Sequence, residues 1–218
     1  MQRSDRTETL VDTIYRDTRH RLNQGEWRPG DRLLDYEIGE RFGCTRMPVR
    51  QALLRLVNEG LLNGTSRGFQ VPVMTDAMIR DVFEVRRILE PAAAALVASS
   101  ANPDLLRAAL SKAVDLAKVA MAHDDPVLMF GAHASFRHAW MQCVRNERLV
   151  NAIAMSADHA NQVRFENTRD VASYPEVVTY LEKLSDALTS GDPEQARRAM
   201  NDFLLLAEET YFRRRLQV

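Results

Sequence analysis

The chain has 218 residues, of which 45% are apolar and 27% charged, the usage of an ordinary folded protein and not of a disordered one. Its 29 Lys+Arg and 30 Asp+Glu nearly cancel, so no global charge marks it for a polyanion or a membrane surface. The longest apolar stretch, residues 91–98, is far short of the roughly 20 residues that a bilayer span needs.

The first ten residues are polar, so no secretory leader is expected. Two distant cysteines, Cys44 and Cys143, exclude a disulfide framework and a cysteine-type zinc module. A reducing, cytoplasmic setting is expected. Charge is nonetheless uneven. Residues 1–74 carry 12 Arg, no Lys and 10 acids, while 75–218 carry 17 basic and 20 acidic residues. Between 41 and 67, Arg41, Arg46, Arg50, Arg55 and Arg67 face the single acid Glu59. Such an island is either the footprint of a polyanion site or a solvated helix face, and charge alone does not choose.

Residues 7–24 place Leu10, Ile14 and Leu22 on one face of a helix, ended by the turn Trp27-Arg28-Pro29-Gly30-Asp31. Residues 35–42 form a short helix with Ile38 and Phe42 apolar, closed by Gly43 in the left-handed conformation. Thr45 caps the next helix. Pro48 lies in its first turn, Val49, Leu53 and Leu56 point inward, and Gly60 ends it. Residues 61–63 and 68–71 read as short strands around Gly64-Thr65-Ser66-Arg67. Two short helices across a Gly turn, then a two-stranded wing, is the plan of a winged helix-turn-helix. Beyond Met74 the chain reads as long helices, split at Asn102-Pro103, 123–126, Tyr174-Pro175 and Gly191-Asp192-Pro193. Asp or Asn before Pro supplies a cap oxygen and a first-turn proline. The boundary falls within 71–75, giving a winged helix over 1–74 and a helical domain over 75–218.

Arg46 and Arg50 are four apart, so both project from one face at the start of the second short helix. That end of a recognition helix reaches base edges in the major groove. Arg donates two bonds to guanine O6 and N7, for about 1–3 kcal/mol of discrimination. Thr45 and the helix N-terminus suit a phosphate, Met47 offers an apolar contact, and Arg67 beside Gly68 at the wing tip fits a minor groove. The competing reading, a surface ion pair, finds no acid on the Arg46–Arg50 face in the sequence nearby.

Residues 27–71 resemble the GntR family of bacterial transcription regulators. The resemblance is carried by Pro29-Gly30-Asp31-Arg32-Leu33, then by Gly43-Cys44-Thr45-Arg46-Met47-Pro48-Val49-Arg50-Gln51-Ala52-Leu53, Arg55-Leu56, Glu59-Gly60-Leu61 and Arg67-Gly68-Phe69-Gln70-Val71. Thr45, Met47 and Gln51 depart from the usual Ser, Thr and Glu, and Tyr36 stands where many relatives carry Arg. The second half resembles the FadR-type subgroup with an all-helical FCD effector domain. Phe83-Glu84-Val85-Arg86-Arg87-Ile88-Leu89-Glu90-Pro91, the segment from Phe136 to Asn146 and Leu149, and the last two helices carry that likeness. The resemblance implies a mostly α protein, a winged helix-turn-helix plus a six- or seven-helix antiparallel bundle around a small-molecule pocket.

Many relatives hold a divalent metal there with one Asp and three His. The matching positions are His133, Arg137, Leu181 and Phe203. A cationic Arg and two apolar side chains do not complete a metal site, so no metal and no other cofactor is expected. His159, on the neighbouring helix, is the remaining histidine of interest. Arg137 instead keeps positive charge where an anion would have met the metal, and Arg binds carboxylate through a planar two-pronged contact. Leu181 and Phe203 make the opposite wall apolar, with Arg86 and Arg164 as further pocket residues. The competing reading pairs Arg137 with an internal acid and leaves the pocket vestigial. The expected partners are an inverted-repeat operator in double-stranded DNA, an organic-acid effector and a second copy of the chain, with no membrane. An enzyme using His133 or His159 as base lacks a nucleophile elbow, a phosphate loop and an HExxH pattern. An architectural DNA binder whose helical half only dimerises is the third reading.

Overall fold

The structure is a computed structural model that describes residues 9–23, 25–100 and 102–215, apart from the side chains of 157, 158 and 162. The chain divides into two compact units between Thr75 and Asp76. The first contains α1 (Leu10–Asn23), β1 (Arg32–Leu33), α2 (Asp35–Phe42), α3 (Arg46–Asn58), β2 (Asn63–Thr65) and β3 (Gly68–Gln70). Residues 7, 8 and 24 of the expected first helix lie outside the described residues. Ile14 is fully buried on α1, whereas Leu10 is exposed at its first turn and takes no part in the core.

α2 ends because Gly43 adopts φ 59, a left-handed conformation that costs glycine little. Its N–H donates to the Glu40 carbonyl and the Cys44 N–H to that of Gly39, which satisfies two helix-end acceptors. Gly39 also permits the close crossing: a Cβ there would lie 3.0 Å from the Cys44 carbonyl oxygen. Thr45 takes the N-cap position of α3 with extended backbone, but its hydroxyl makes no capping bond, contrary to expectation. The wing also differs. Leu61 and Leu62 are not strand residues; they are buried under the wing, and β2 begins only at Asn63. β3 stops at Gln70, one residue early. A third strand, β1, pairs Arg32 with Gln70 and Leu33 with Phe69, giving an antiparallel sheet of order β1-β3-β2. The Pro29-Gly30 turn delivers it: the Gly30 N–H donates to the Val71 carbonyl and the Val71 N–H to that of Asp31, both at 2.9 Å. Leu33, Val49, Leu53, Leu56 and Phe69 close this core with Ile14.

Among the described residues the second unit is a bundle of six helices: α4 (Asp76–Ser100), α5 (Pro103–Ala122), α6 (Pro126–Met141), α7 (Glu147–Asn167), α8 (Tyr174–Thr189) and α9 (Pro193–Arg215), with a 3-10 turn at Val171–Ser173. Asn102 and Asp125 cap α5 and α6, each accepting from two backbone N–H groups at 2.9–3.3 Å. Asp192 does the same before α9. The break between α6 and α7 carries neither Gly nor Pro; Asn146 makes it, capping the N–H groups of Arg148 and Leu149. α4 and α9 run antiparallel, tied by ion pairs between Asp76 and Arg215 and between Arg87 and Glu208. Leu106, Leu110, Phe136, Trp140, Leu184 and Leu188 belong to one continuous apolar core. Among the described residues no helix is long and apolar enough to cross a membrane.

Leu110 is fully buried in α5. Leu110→Ala is expected to cost about 2–5 kcal/mol through lost burial and the residual cavity, read as a lower denaturation midpoint with an unchanged denaturant slope.

Candidate functional site

α3 starts at Arg46, so its first turn presents Arg46, Met47 and Arg50 outward while Val49 and Leu53 turn into the core. The Arg46 and Arg50 side chains are 68% and 54% exposed, leaving their guanidinium donors within reach of a groove. Thr45 is exposed beside them, and Arg67 is exposed at the turn between β2 and β3, next to Gly68. The arginines do, however, meet an acid. Asp35, the first residue of α2, accepts from Arg50 Nη1 at 3.0 Å and lies 4.0 Å from Arg46 Nε. The expectation of no nearby acid is therefore corrected: Asp35 is distant in sequence but is carried there by the turn through Gly43. The Arg46 guanidinium also lies 5.6 Å from the Tyr36 ring centre, and that of Arg50 lies 5.8 Å from the Phe69 ring centre. An ion pair this exposed is worth little, about 0–1 kcal/mol. It occupies one of the five N–H donors of Arg50 and aims the rest.

In the helical unit, Arg86 of α4, His133 and Arg137 of α6, Arg164 of α7, Leu181 of α8 and Phe203 of α9 all line one cavity. The space between its atoms, open mouth included, is about 810 Å³. His159 is not among its lining residues. Phe83, Met129, Phe136 and Trp140 add apolar wall.

The residue the sequence did not offer is Glu90, one turn after Arg86. It is 2% exposed and accepts from Arg86 Nε at 2.8 Å and from Arg137 Nη1 at 3.1 Å. Burial alone would raise its pKa; the two guanidinium groups outweigh that and bring it down to about 2. Arg137 thus has an internal partner, and three guanidinium groups share the cavity with one carboxylate. Arg164 donates to Asn161 and lies 6.0 Å from the Phe130 ring centre. His133 stacks on Phe203, ring centres 6.0 Å apart and planes at 29°. Burial, then the charges of Arg164 and Arg86, push its pKa down to about 3, so the imidazole is neutral near pH 7. The four positions matching the relatives' metal ligands hold one neutral imidazole, one guanidinium and two apolar groups, a donor set that does not fit a divalent ion. Among the described residues no cluster of three His, Cys, Asp or Glu could hold a metal.

Residues 10–68 match the model of the bacterial regulatory proteins of the gntR family, and residues 81–205 match the FCD domain. The chain belongs to the GntR family, with an FCD domain. The family's members are transcriptional regulators, and the first unit of this chain is the family's DNA-binding winged helix. The HTH-type transcriptional regulator McbR of Escherichia coli K12 is 30% identical over 132 residues, 60% of this chain and 59% of McbR, less than two thirds of that relative's length. The solved structure of E. coli McbR/YncC superposes with a TM-score of 0.84 at 23% identity, covering 95% of this chain and 99% of that one. A putative GntR regulator from Rhodococcus sp. RHA1 gives 0.76 at 23% identity, with 93% and 97% covered. Both structures speak to the fold alone.

Because the folded chain leaves His133 unprotonated down to about pH 3 while the unfolded chain protonates it near 6.5, stability falls as pH drops below about 6.5. Glu90 adds a second loss between about 4.5 and 2. Thermal unfolding from pH 7 to pH 5 is expected to show the first loss, up to about 1.4 kcal/mol per pH unit, and His133→Phe to flatten that part of the profile.

Proposed function

We propose that this regulator represses a catabolic or transport operon, and that an organic acid in a metal-free cavity of the FCD domain modulates its grip on DNA. Arg46 and Arg50, exposed together at the start of α3, carry the DNA half of the reading. Thr45, Met47, Arg67 and Gly68 complete the contact surface, with phosphate contacts fixing register and the two arginines reading guanine edges. Three guanidinium groups against one carboxylate in a largely apolar cavity carry the effector half. Arg137, 17% exposed and with donors beyond the one given to Glu90, is the carboxylate clamp. His133, Phe203 and Leu181 supply the wall, with Arg86 and Arg164 shaping the field. An effector shifts DNA affinity only by as much as it prefers one state of the protein over the other.

The active species on this reading is a homodimer, which places two recognition helices about one DNA turn apart over an inverted repeat. Val85, Ile88 and Leu96, exposed at helical spacing along α4, offer a face for self-pairing. The Glu90–Arg137 pair also favours a second reading, in which the pair fills the need for charge and the regulator takes no effector.

Arg46→Ala and Arg50→Ala should each lower affinity at least about tenfold for a site selected from random duplexes, with little change on unrelated DNA, in gel shifts at fixed salt. Asp35→Asn should raise affinity for both and shrink their ratio. Equal affinities in the Arg variants would overturn the assignment. Arg137→Lys, which keeps charge beside Glu90 but loses the two-pronged geometry, should bind DNA normally and lose the thermal shift given by phenylacetate or hexanoate. Wild-type protein that shows no shift with any carboxylate supports the effector-free reading.

A further inference from the structure

Five side chains lining the cavity carry a hydroxyl or amide: Asn167, Thr168, Ser173, Tyr174 and Thr210. Three of the hydroxyls already donate to backbone carbonyls. Tyr174 donates to Thr168, Thr168 to Phe165 at 2.9 Å, and Ser173 to Asp170 at 2.7 Å. Asn167 donates its Nδ2 to the Ala207 carbonyl at 2.7 Å, which fixes the amide with Oδ1 as a pure acceptor. Asn167 Oδ1 and Thr210 Oγ1 are buried and have no hydrogen-bond partner among the described residues. Both line the cavity, and Thr210 lies three residues, about one turn, beyond Ala207, the residue that Asn167 grips on α9. An unpaired buried acceptor is costly, and Asn167 Oδ1 cannot take the anionic end of a ligand; it needs an O–H or N–H.

The register of the bundle separates this polar pair from the cationic end. Two levels can be marked along α9, which runs antiparallel to α4: Phe203, stacked on His133, and Thr210 further towards the helix end. His133 belongs to the first level through Phe203, and Arg137 lies one turn from His133 on α6. The two levels are seven residues apart on α9, about 10 Å along its axis. Leu206 and Ala207 form the wall between them.

We propose that the cavity takes a carboxylate bearing a hydroxyl or amine donor at the far end of an apolar body, the simplest form being a para-hydroxyphenyl acid. This rests on the organic-acid reading of the same cavity and names the class of acid. The carboxylate meets the outward donors of Arg137, the body lies along the His133–Phe203 pair, and the distal donor satisfies Asn167 Oδ1 and Thr210 Oγ1. An acid with its hydroxyl on the carbon next to the carboxylate is too short to reach both levels. An acid without a donor leaves both oxygens orphaned. A site built to accept a substrate hydroxyl rejects the analogue that lacks it.

Calorimetric titration of the full chain with matched acids tests this. 4-Hydroxyphenylacetate should bind at least about tenfold more tightly than phenylacetate, and 6-hydroxyhexanoate more tightly than hexanoate. Mandelate should gain nothing over phenylacetate. Thr210→Val should erase the preference by weakening the hydroxylated acid alone, Thr210→Ser should keep it, and Asn167→Leu gives an independent check. Equal affinity within each pair overturns the proposal while leaving the organic-acid reading intact. So does a preference for mandelate, or a Thr210→Val variant that weakens both members equally. If none of these acids binds at millimolar concentration, the acid reading fails and this inference fails with it.

Discussion

A carboxylate with almost no solvent contact stays ionised inside the bundle only because two guanidinium groups from different helices converge on it. Withdrawing Glu90 from water is expensive, and attraction to Arg86 and Arg137 has to offset that. The arrangement constrains everything around it. It ties α4 to α6, it fixes where Arg137 can point, and it leaves the cavity with an excess of cation. Removing one guanidinium would strand a buried charge, which is why Arg137→Lys is a more informative change than truncation.

The winged unit solves a related problem at its surface. The arginines proposed to read DNA must be held without being used up. Asp35 touches both from the start of the preceding helix, and the aromatic rings of Tyr36 and Phe69 lie beside them. Each contact is individually weak in water, so a phosphate or a guanine edge can replace it.

Local chemistry was readable from the chain. The bounds of α2, the left-handed Gly43 and the caps at Asn102, Asp125 and Asp192 follow from single residues acting on their own backbone. The six residues expected around a pocket line one cavity because the family's helical framework fixes which faces turn inward. What escaped the sequence depends on partners distant along the chain. Glu90 sat in a quoted motif, but its second guanidinium lies 47 residues away on another helix. Asp35 reaches Arg50 only through the fold of the turn. β1 has two residues, too few for an alternating pattern, and exists because Phe69 and Gln70 offer an edge. The α6–α7 break carries no Gly or Pro and is marked by a lone Asn146 cap. The orphaned oxygens of Asn167 and Thr210 leave no trace in sequence at all, since being unpaired is a property of the surroundings.

The depressed basicity of His133 has one further consequence. With that imidazole neutral and Glu90 charged throughout the range in which cells live, the charge of these two cavity groups is constant. A bacterium that consumes or excretes acids lets its interior drift in acidity. A receptor with a titrating histidine would confuse that drift with the arrival of its metabolite. On the organic-acid proposal, a cavity whose His133 and Glu90 keep their charge avoids that confusion.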